Sequence, residues 1–169
     1  MLINIDSISE KGLHLKDALD MDENLLLEKD SRFLEELSYQ LHLRRDKKQI
    51  RVQGKIKTMV SVSCIRCLDY YDLKLQSRFD LILFPMEEIE AKRVALNQDD
   101  LEYIFYQGKQ IDIIKILSEQ VNLFLPLYPL CHQECRGLCS CCGCNLNQES
   151  CDCEETKNEM TFLFELIKR

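Results

Sequence analysis

Cysteine is the residue type in this chain best able to do chemistry, and its placement narrows what that chemistry can be. Eight cysteines lie between Cys131 and Cys153, and Cys64 and Cys67 form a separate pair more than sixty residues upstream. A Cys-x2-Cys turn lets two sulfurs reach one ion at about 2.3 Å, and structural zinc takes four such ligands, commonly two pairs from distant parts of a chain. Thiols this dense in a reducing compartment point to metal rather than to a disulfide scaffold.

The spacing allows two partitions. In the first, two zinc ions are held, one by Cys64, Cys67, Cys131 and Cys135 and the other by Cys139, Cys142, Cys151 and Cys153. In the second, a single zinc is held by Cys64 and Cys67 with Cys139 and Cys142, the zinc-ribbon arrangement. His132 could stand in for a thiolate in either. The plainest role for such zinc is to hold the fold, so that any function belongs to what the metal positions.

Other cysteine chemistries fit less well. An iron–sulfur ligand run of the C-x2-C-x2-C-x3-C-P kind is not given by Cys135, Cys139, Cys142 and Cys144. A dithiol redox site opens a helix in a βαβ unit, whereas Cys64 and Cys67 lie between two strand patterns. Catalytic zinc keeps an open position beside His or carboxylate ligands, and His132 is the one histidine near the cluster. No Gly-rich phosphate loop or Ser-His-Asp set is present, so the chain is not expected to be an enzyme.

The elements that must position these thiols follow from hydrophobic periodicity. Phe33, Leu37, Tyr39, Leu41 and Leu43 alternate with polar residues, as do Ile50, Val52, Ile56, Val60 and Val62, with Arg45 to Lys48 as the turn between them. Ser61 and Ser63 fall on the outward side of that second strand. A third alternation puts Leu73, Leu75, Phe79, Leu81 and Leu83 inward, so the Cys64/Cys67 pair replaces an ordinary hairpin turn. Three antiparallel strands with one solvated face are predicted.

Asp112 is a good N-cap for a helix in which Ile113, Ile114, Leu117, Val121 and Phe124 recur until Pro126. Further expectations are a short strand at Leu2 to Ile5, a polar connection from Asp17 to Asp30 and a loop from Met86 to Asp100. A strand at Leu101 to Tyr106 and a closing helix from Glu159 to Arg169 complete the outline. No internal repeat is evident. The fold class is α+β: an antiparallel sheet or small partly open barrel, one packed helix and a Cys-rich zinc-binding C-terminal segment. Residues 1–125 form the core and 126–169 a tail packed on it, a single domain overall.

The 169 residues are 46% hydrophobic and 30% charged, a globular composition. The opening Met1 to Asp6 has neither a basic leader nor a continuous apolar run, and no uncharged apolar stretch nears about 18 residues, so a cytoplasmic protein without a membrane span is expected. Formal charge is -7, yet Arg44 to Lys57 holds seven basic residues against the single acid Asp46. Arg44, Arg51, Lys55 and Lys57 share the outward parity of the hairpin, and Arg66 sits between two thiols. This set is the candidate RNA-binding surface; its rival reading is a solvated strand face that deters edge pairing.

The order of motifs resembles the YceD family, the large ribosomal RNA subunit accumulation proteins. The resemblance is carried by Cys64-Ile65-Arg66-Cys67-Leu68 after a long strand, Leu125-Pro126-Leu127 before Cys131, and Cys135-Arg136-Gly137-Leu138-Cys139. Cys142-Gly143, Asn145-Leu146-Asn147 and Cys151-Asp152-Cys153 complete it. Cys141 and Cys144 fall at positions variable in the family pattern, which implies extra thiols rather than ligands. Glu159-Met160-Thr161-Phe162 lacks the Asp-Pro-Arg-like opening of the family's last helix.

The resemblance implies a non-enzymatic factor needed for accumulation of 23S ribosomal RNA and for large-subunit assembly. Its partners would be a ribosomal RNA precursor or large-subunit assembly particle, or an assembly-factor protein, with no membrane and no small-molecule substrate. The alternatives are a protein-binding adaptor and a zinc-ribbon nucleic-acid-binding regulator.

Overall fold

The structure, a computed structural model, describes residues 1–28, 31–86 and 103–153. The acidic loop from residue 87 and the closing helix expected from Glu159 lie outside the described residues. The chain divides into two compact units. The first comprises Met1–Val62 and Asp72–Leu127; the second comprises Ser63–Tyr71 and the chain from Tyr128 onward.

The first unit is mostly sheet. Its strands are β1 (Leu2–Asn4), β2 (Leu13–Leu19), β3 (Arg32–Phe33), β4 (Leu37–Asp46), β5 (Gln49–Ser63), β6 (Tyr70–Pro85), β7 (Tyr103–Tyr106) and β8 (Gln110–Asp112). They form one open sheet in the order β2-β4-β5-β6-β7, with β3 beside β5, and a separate β1-β8 ribbon. The ends of β5 and β6 run on into the second unit.

Alternation dictates this sheet. Leu37, Tyr39, Leu41 and Leu43 of β4 and Ile50, Val52 and Ile56 of β5 are buried, while Gln40, Arg44, Arg51, Gln53, Lys55 and Lys57 between them are exposed. Register is fixed by the two-residue turn Lys47-Lys48, which sets Asp46 opposite Gln49. Lys47 takes φ 55° there, the left-handed conformation that lets a short turn follow the strand twist.

Helix α1 (Ile113–Phe124) begins where Asp112 accepts the Ile114 N–H at 3.1 Å. It lays Ile113, Ile116, Leu117 and Val121 into the same cluster as Leu37, Leu43, Ile50, Val52 and Leu83. The stripe is rotated slightly from the one expected: Ile116 is buried, Ile114 is half-buried and Phe124 is 40% exposed. Residues three, four, seven and eight beyond Ile113 share its face, whereas Ile114 stands about 100° round from it and Phe124, though on that face, is the helix's last residue.

Other elements depart from the periodicity. Residues 13–19, part of which reads as polar connection, form β2, which pairs antiparallel with β4 over all seven positions. β7 pairs with β6 in parallel, Ile82 opposite Tyr103, and so adds one parallel step to an otherwise alternating sheet. Ser61, expected outward, is buried because Arg32 of β3 pairs across it.

Candidate metal centres

Both Cys-x2-Cys turns in the second unit have the same backbone. In the first, Leu68 N–H donates to Cys64 O and Cys64 N–H to Asp69 O, each at 2.9 Å. In the second, Gly143 N–H donates to Cys139 O at 2.9 Å and Cys139 N–H to Cys144 O at 2.8 Å. The fifth residue of each turn is left-handed, Leu68 at φ 62° and Gly143 at φ 75°. The two turns are thus equivalent in backbone although they share little sequence beyond the paired cysteines.

This backbone aims N–H groups at sulfur. Burial pushes the Cys64 thiol up, but N–H donors from Cys67, Cys131 and Arg66 outweigh it and hold the group at about 6. N–H groups of Cys142 and Cys141 lower Cys139 likewise to about 6, and that of Cys144 lowers Cys142. A thiolate accepting several amide hydrogens is what a metal ligand requires.

The remaining sulfurs complete two groups. Cys64, Cys67, Cys131 and Cys135 offer Sγ atoms all within 4.8 Å of one another, and Cys139, Cys142, Cys151 and Cys153 do the same. Cys64 to Cys135 and Cys67 to Cys131 are each separated by 3.7 Å. A tetrahedron with metal–sulfur bonds of 2.3 Å has edges of about 3.8 Å. These are the two groups of four named from the sequence.

Without a cation, ionising one thiol of such a group makes the next resist. Burial, then its neighbouring thiols, push Cys67 up to about 12, and burial raises Cys131. In the second group Cys142 is the main cause that raises Cys153. Four sulfurs this close can all be thiolates only around a positive ion. The donor set, all sulfur and near-tetrahedral, fits zinc.

Cys141 and Cys144 lie at the edge of the second group. Cys144 is pushed up to about 12, by the Cys142 thiol first and then by burial. His132 places Nδ1 3.1 Å from Cys131 Sγ, beside the first group rather than within it.

Several supporting residues had no obvious role in the spacing. Asn147 donates from Nδ2 to Cys135 Sγ at 3.3 Å and accepts the Arg136 N–H at 2.8 Å. Asn145 donates to Asp69 at 2.6 Å, and Leu138 N–H donates to Arg66 O at 3.0 Å, tying residues 138–145 to the first turn. Gly137 is required there: its φ is 76°, and a Cβ would press on the Arg66 carbonyl at 3.0 Å. The Asn-Leu-Asn motif was the one available signal for the asparagines.

The basic candidates are spread along both units. Arg44 lies opposite Arg51 on β4 and β5, and Lys55 and Lys57 lie opposite Gln40 and Ser38. Arg51 is engaged by Asp80 in two bonds of 2.8 and 2.6 Å. That hydrogen bond is the first cause that holds the Asp80 carboxyl below its usual range. Arg66 donates from Nη1 to Cys135 O at 2.9 Å, so it braces the first centre.

The equivalence of the turns yields a prediction of opposite signs. Leu68 in a left-handed conformation costs roughly 1–2 kcal/mol, whereas glycine pays roughly 0.5–1 kcal/mol in unfolded-state freedom. Leu68→Gly is expected to leave the metal-loaded fold unchanged or more stable by up to about 1 kcal/mol. By the same accounting Gly143→Leu should cost up to about 1 kcal/mol, with no steric contribution because nothing lies within 4 Å of its Cβ position. Thermal unfolding of the two variants checks this; a loss of stability in Leu68→Gly would contradict it.

Among its described residues the chain is therefore mostly β-sheet with one α-helix, and it carries two four-cysteine centres able to hold metal ions. Its residues 52–164 match the family described as large ribosomal RNA subunit accumulation protein YceD, and the chain belongs to that family. A chloroplastic YCED homolog 1 of Arabidopsis thaliana, named as a large ribosomal RNA subunit accumulation protein, is 30% identical over 131 residues. That match covers 64% of this chain and 41% of the relative. The Zea mays protein of the same name is 26% identical, covering 65% and 46%.

An uncharacterised protein of Mycobacterium leprae is 26% identical, covering 57% of this chain and 43% of its own length. The chain thus spans less than half the length of the curated relatives it matches. No solved structure matches. Among the described residues no helix is long and apolar enough to cross a membrane.

Proposed function

We propose that this protein is a non-enzymatic factor for the accumulation of large-subunit ribosomal RNA, with two zinc ions holding its second unit. The match to the family over residues 52–164 carries this reading, since that span includes both cysteine turns and their partner thiols. Zinc is favoured by the four-sulfur geometry of each centre. Cys64, Cys67, Cys131 and Cys135 would hold one ion and Cys139, Cys142, Cys151 and Cys153 the other, each ion neutralising thiolates and fixing the loops that carry them.

The protein would work in the cytoplasm on a ribosomal RNA precursor or a large-subunit assembly particle. Arg44, Arg51, Lys55 and Lys57 of β4 and β5, with Arg66 of the first turn, are the proposed cationic contacts. Depletion is expected to lower 23S ribosomal RNA and the large-subunit peak in sucrose-gradient profiles, and the natural chain should restore both. Unchanged profiles on depletion would remove the reading. A partner set that survives ribonuclease treatment would replace direct RNA contact by a protein adaptor role.

A further inference from the structure

We propose that the outward face of β2, β4, β5 and β6 is a groove for single-stranded RNA, with the His14 ring as a stacking platform for a base. The inference rests on the proposed role in ribosomal RNA accumulation and specifies the strand state and the residues that receive it.

The face is hollowed rather than flat. Two adjoining hollows of about 620 and 600 Å³ share Lys16, Gln40, Lys55 and Arg78. Lys16 stands opposite Gln40, and Gln40 opposite Lys55, so these outward side chains form one row across the strands. With strands about 4.8 Å apart, a row over four strands is about 14 Å wide. Lys57 lines the second hollow, and among the described residues Asp17 is the one acid lining either.

The sign of this face opposes that of the chain, whose formal charge is -7. The four cations that line the hollows are also uncommitted. Arg51 and Arg45, which do not line these hollows, pair with Asp80 and Asp6. Lys16, Lys55, Lys57 and Arg78 enter no ion pair among the described residues. A polyanion is the complementary occupant.

The ring pair at one end narrows the polyanion to a nucleic acid with free bases. His14 and His42, opposite each other on β2 and β4, stack with centroids 4.1 Å apart and planes 5° from parallel. Gly12 packs against the edge of His42: its φ is +93°, and a Cβ there would collide with Nε2. That Nε2 is buried and has no hydrogen-bond partner, so packing alone holds the ring. His14 is exposed.

A fixed aromatic ring with an open face, beside a row of cations, is how proteins take unpaired bases and their phosphates together. A duplex buries its base faces and cannot use the ring. Gln40 and Gln53, which also line the first hollow, offer amide donors and acceptors to 2′-hydroxyls and base edges.

The test is fluorescence anisotropy of the zinc-loaded full chain with an unstructured 12-nucleotide RNA, across a salt series, beside a hairpin duplex RNA of matched length and a poly-glutamate peptide. Tighter binding of the single strand than of either competitor is expected. Lys16→Gln with Arg78→Gln should weaken it and lower the log–log salt slope by about 1.4, at about 0.7 per phosphate contact on a single strand. His14→Ala should weaken binding about tenfold without changing that slope, and His14→Tyr should restore it.

Full binding by both groups of variants would overturn the groove while leaving the ribosomal RNA role standing. Duplex or poly-glutamate bound as tightly as the single strand would overturn the assigned ligand. No binding to any RNA by the natural chain, with ribosomal profiles still disturbed on depletion, would overturn direct contact and leave the adaptor.

Discussion

Two zinc ions per chain are expected on metal analysis of the purified protein, falling to about one in Cys67→Ser and about one in Cys142→Ser. Structural zinc contributes an apparent 10–16 kcal/mol or so in small peptides, comparable to or larger than the roughly 5–15 kcal/mol that holds a whole domain. Much of it is consumed in ordering loops, so chelation should melt the second unit's ordered turns and not merely loosen them. A single ion in the natural chain, unaltered by Cys142→Ser, would defeat the two-centre arrangement.

The first centre should also be steeply pH-dependent. Cys64, held at about 6, has already lost its proton at neutral pH and adds little to that dependence above pH 7. Cys67 and Cys131, raised from 9.0, keep theirs and must release them to bind the ion. At least two protons therefore leave per zinc, and apparent affinity should rise at least a hundredfold per pH unit between about pH 7 and 8. Competition against a chromophoric chelator, with the second centre blocked by Cys142→Ser, measures it. A rise under tenfold per unit would contradict the sulfur environment described.

Gly54→Ala is expected to destabilise the first unit by about 1–3 kcal/mol, the usual range for overpacking. In a strand interior the change from glycine ordinarily gains roughly 0.5–1 kcal/mol, so the sign is decided by the neighbour. A Cβ on Gly54 would run into the ring of Phe79, which lies over that glycine from β6 and is 9% exposed. Shortening the ring should relieve the clash. Gly54→Ala with Phe79→Leu should be more stable than the sum of the single changes by at least about 0.5 kcal/mol in urea unfolding of the zinc-loaded chain. Strict additivity would show that the ring moves aside freely. Gly54 also lines the first hollow, so the pair bears on the proposed groove.

Alternation made β4, β5 and β6 legible because each buries one face, and a one-residue slip would expose every apolar side chain on it. Asp112 marked the start of α1 through the chemistry of its own side chain. β2 was harder to read: Leu13 and Leu15 alternate, but Asp17 and Ala18 follow with no apolar partner between them until Leu19. As an edge strand, β2 needs only one good face and one paired neighbour. The parallel pairing of β7 depends on where a long connection returns, which no local pattern encodes.

At the metal centres the cysteine pairs announced themselves, and the spacing left two partitions open. Folding brings Cys131 and Cys135 to the first turn through main-chain bonds such as Ile65 N–H to Pro129 O, contacts that periodicity cannot show. The Asn147 bond to Cys135 Sγ is likewise a tertiary event.

The two centres close loops of very different size. Cys64 and Cys135 are 71 residues apart, and Cys67 and Cys131 are 64 apart. Cys139 and Cys142 find Cys151 and Cys153 within one short segment. Treated as cross-links, the long closure restricts the unfolded chain by about 4 kcal/mol and the short one by about 3 kcal/mol. During synthesis the Cys64 turn must wait for some seventy residues before its ligand set exists, while the second set is complete soon after its own turn emerges. The turn made first is thus the one sealed across the greater length of chain, and a shortage of zinc at that moment would leave two of its sulfurs exposed while the rest of the protein is still being made.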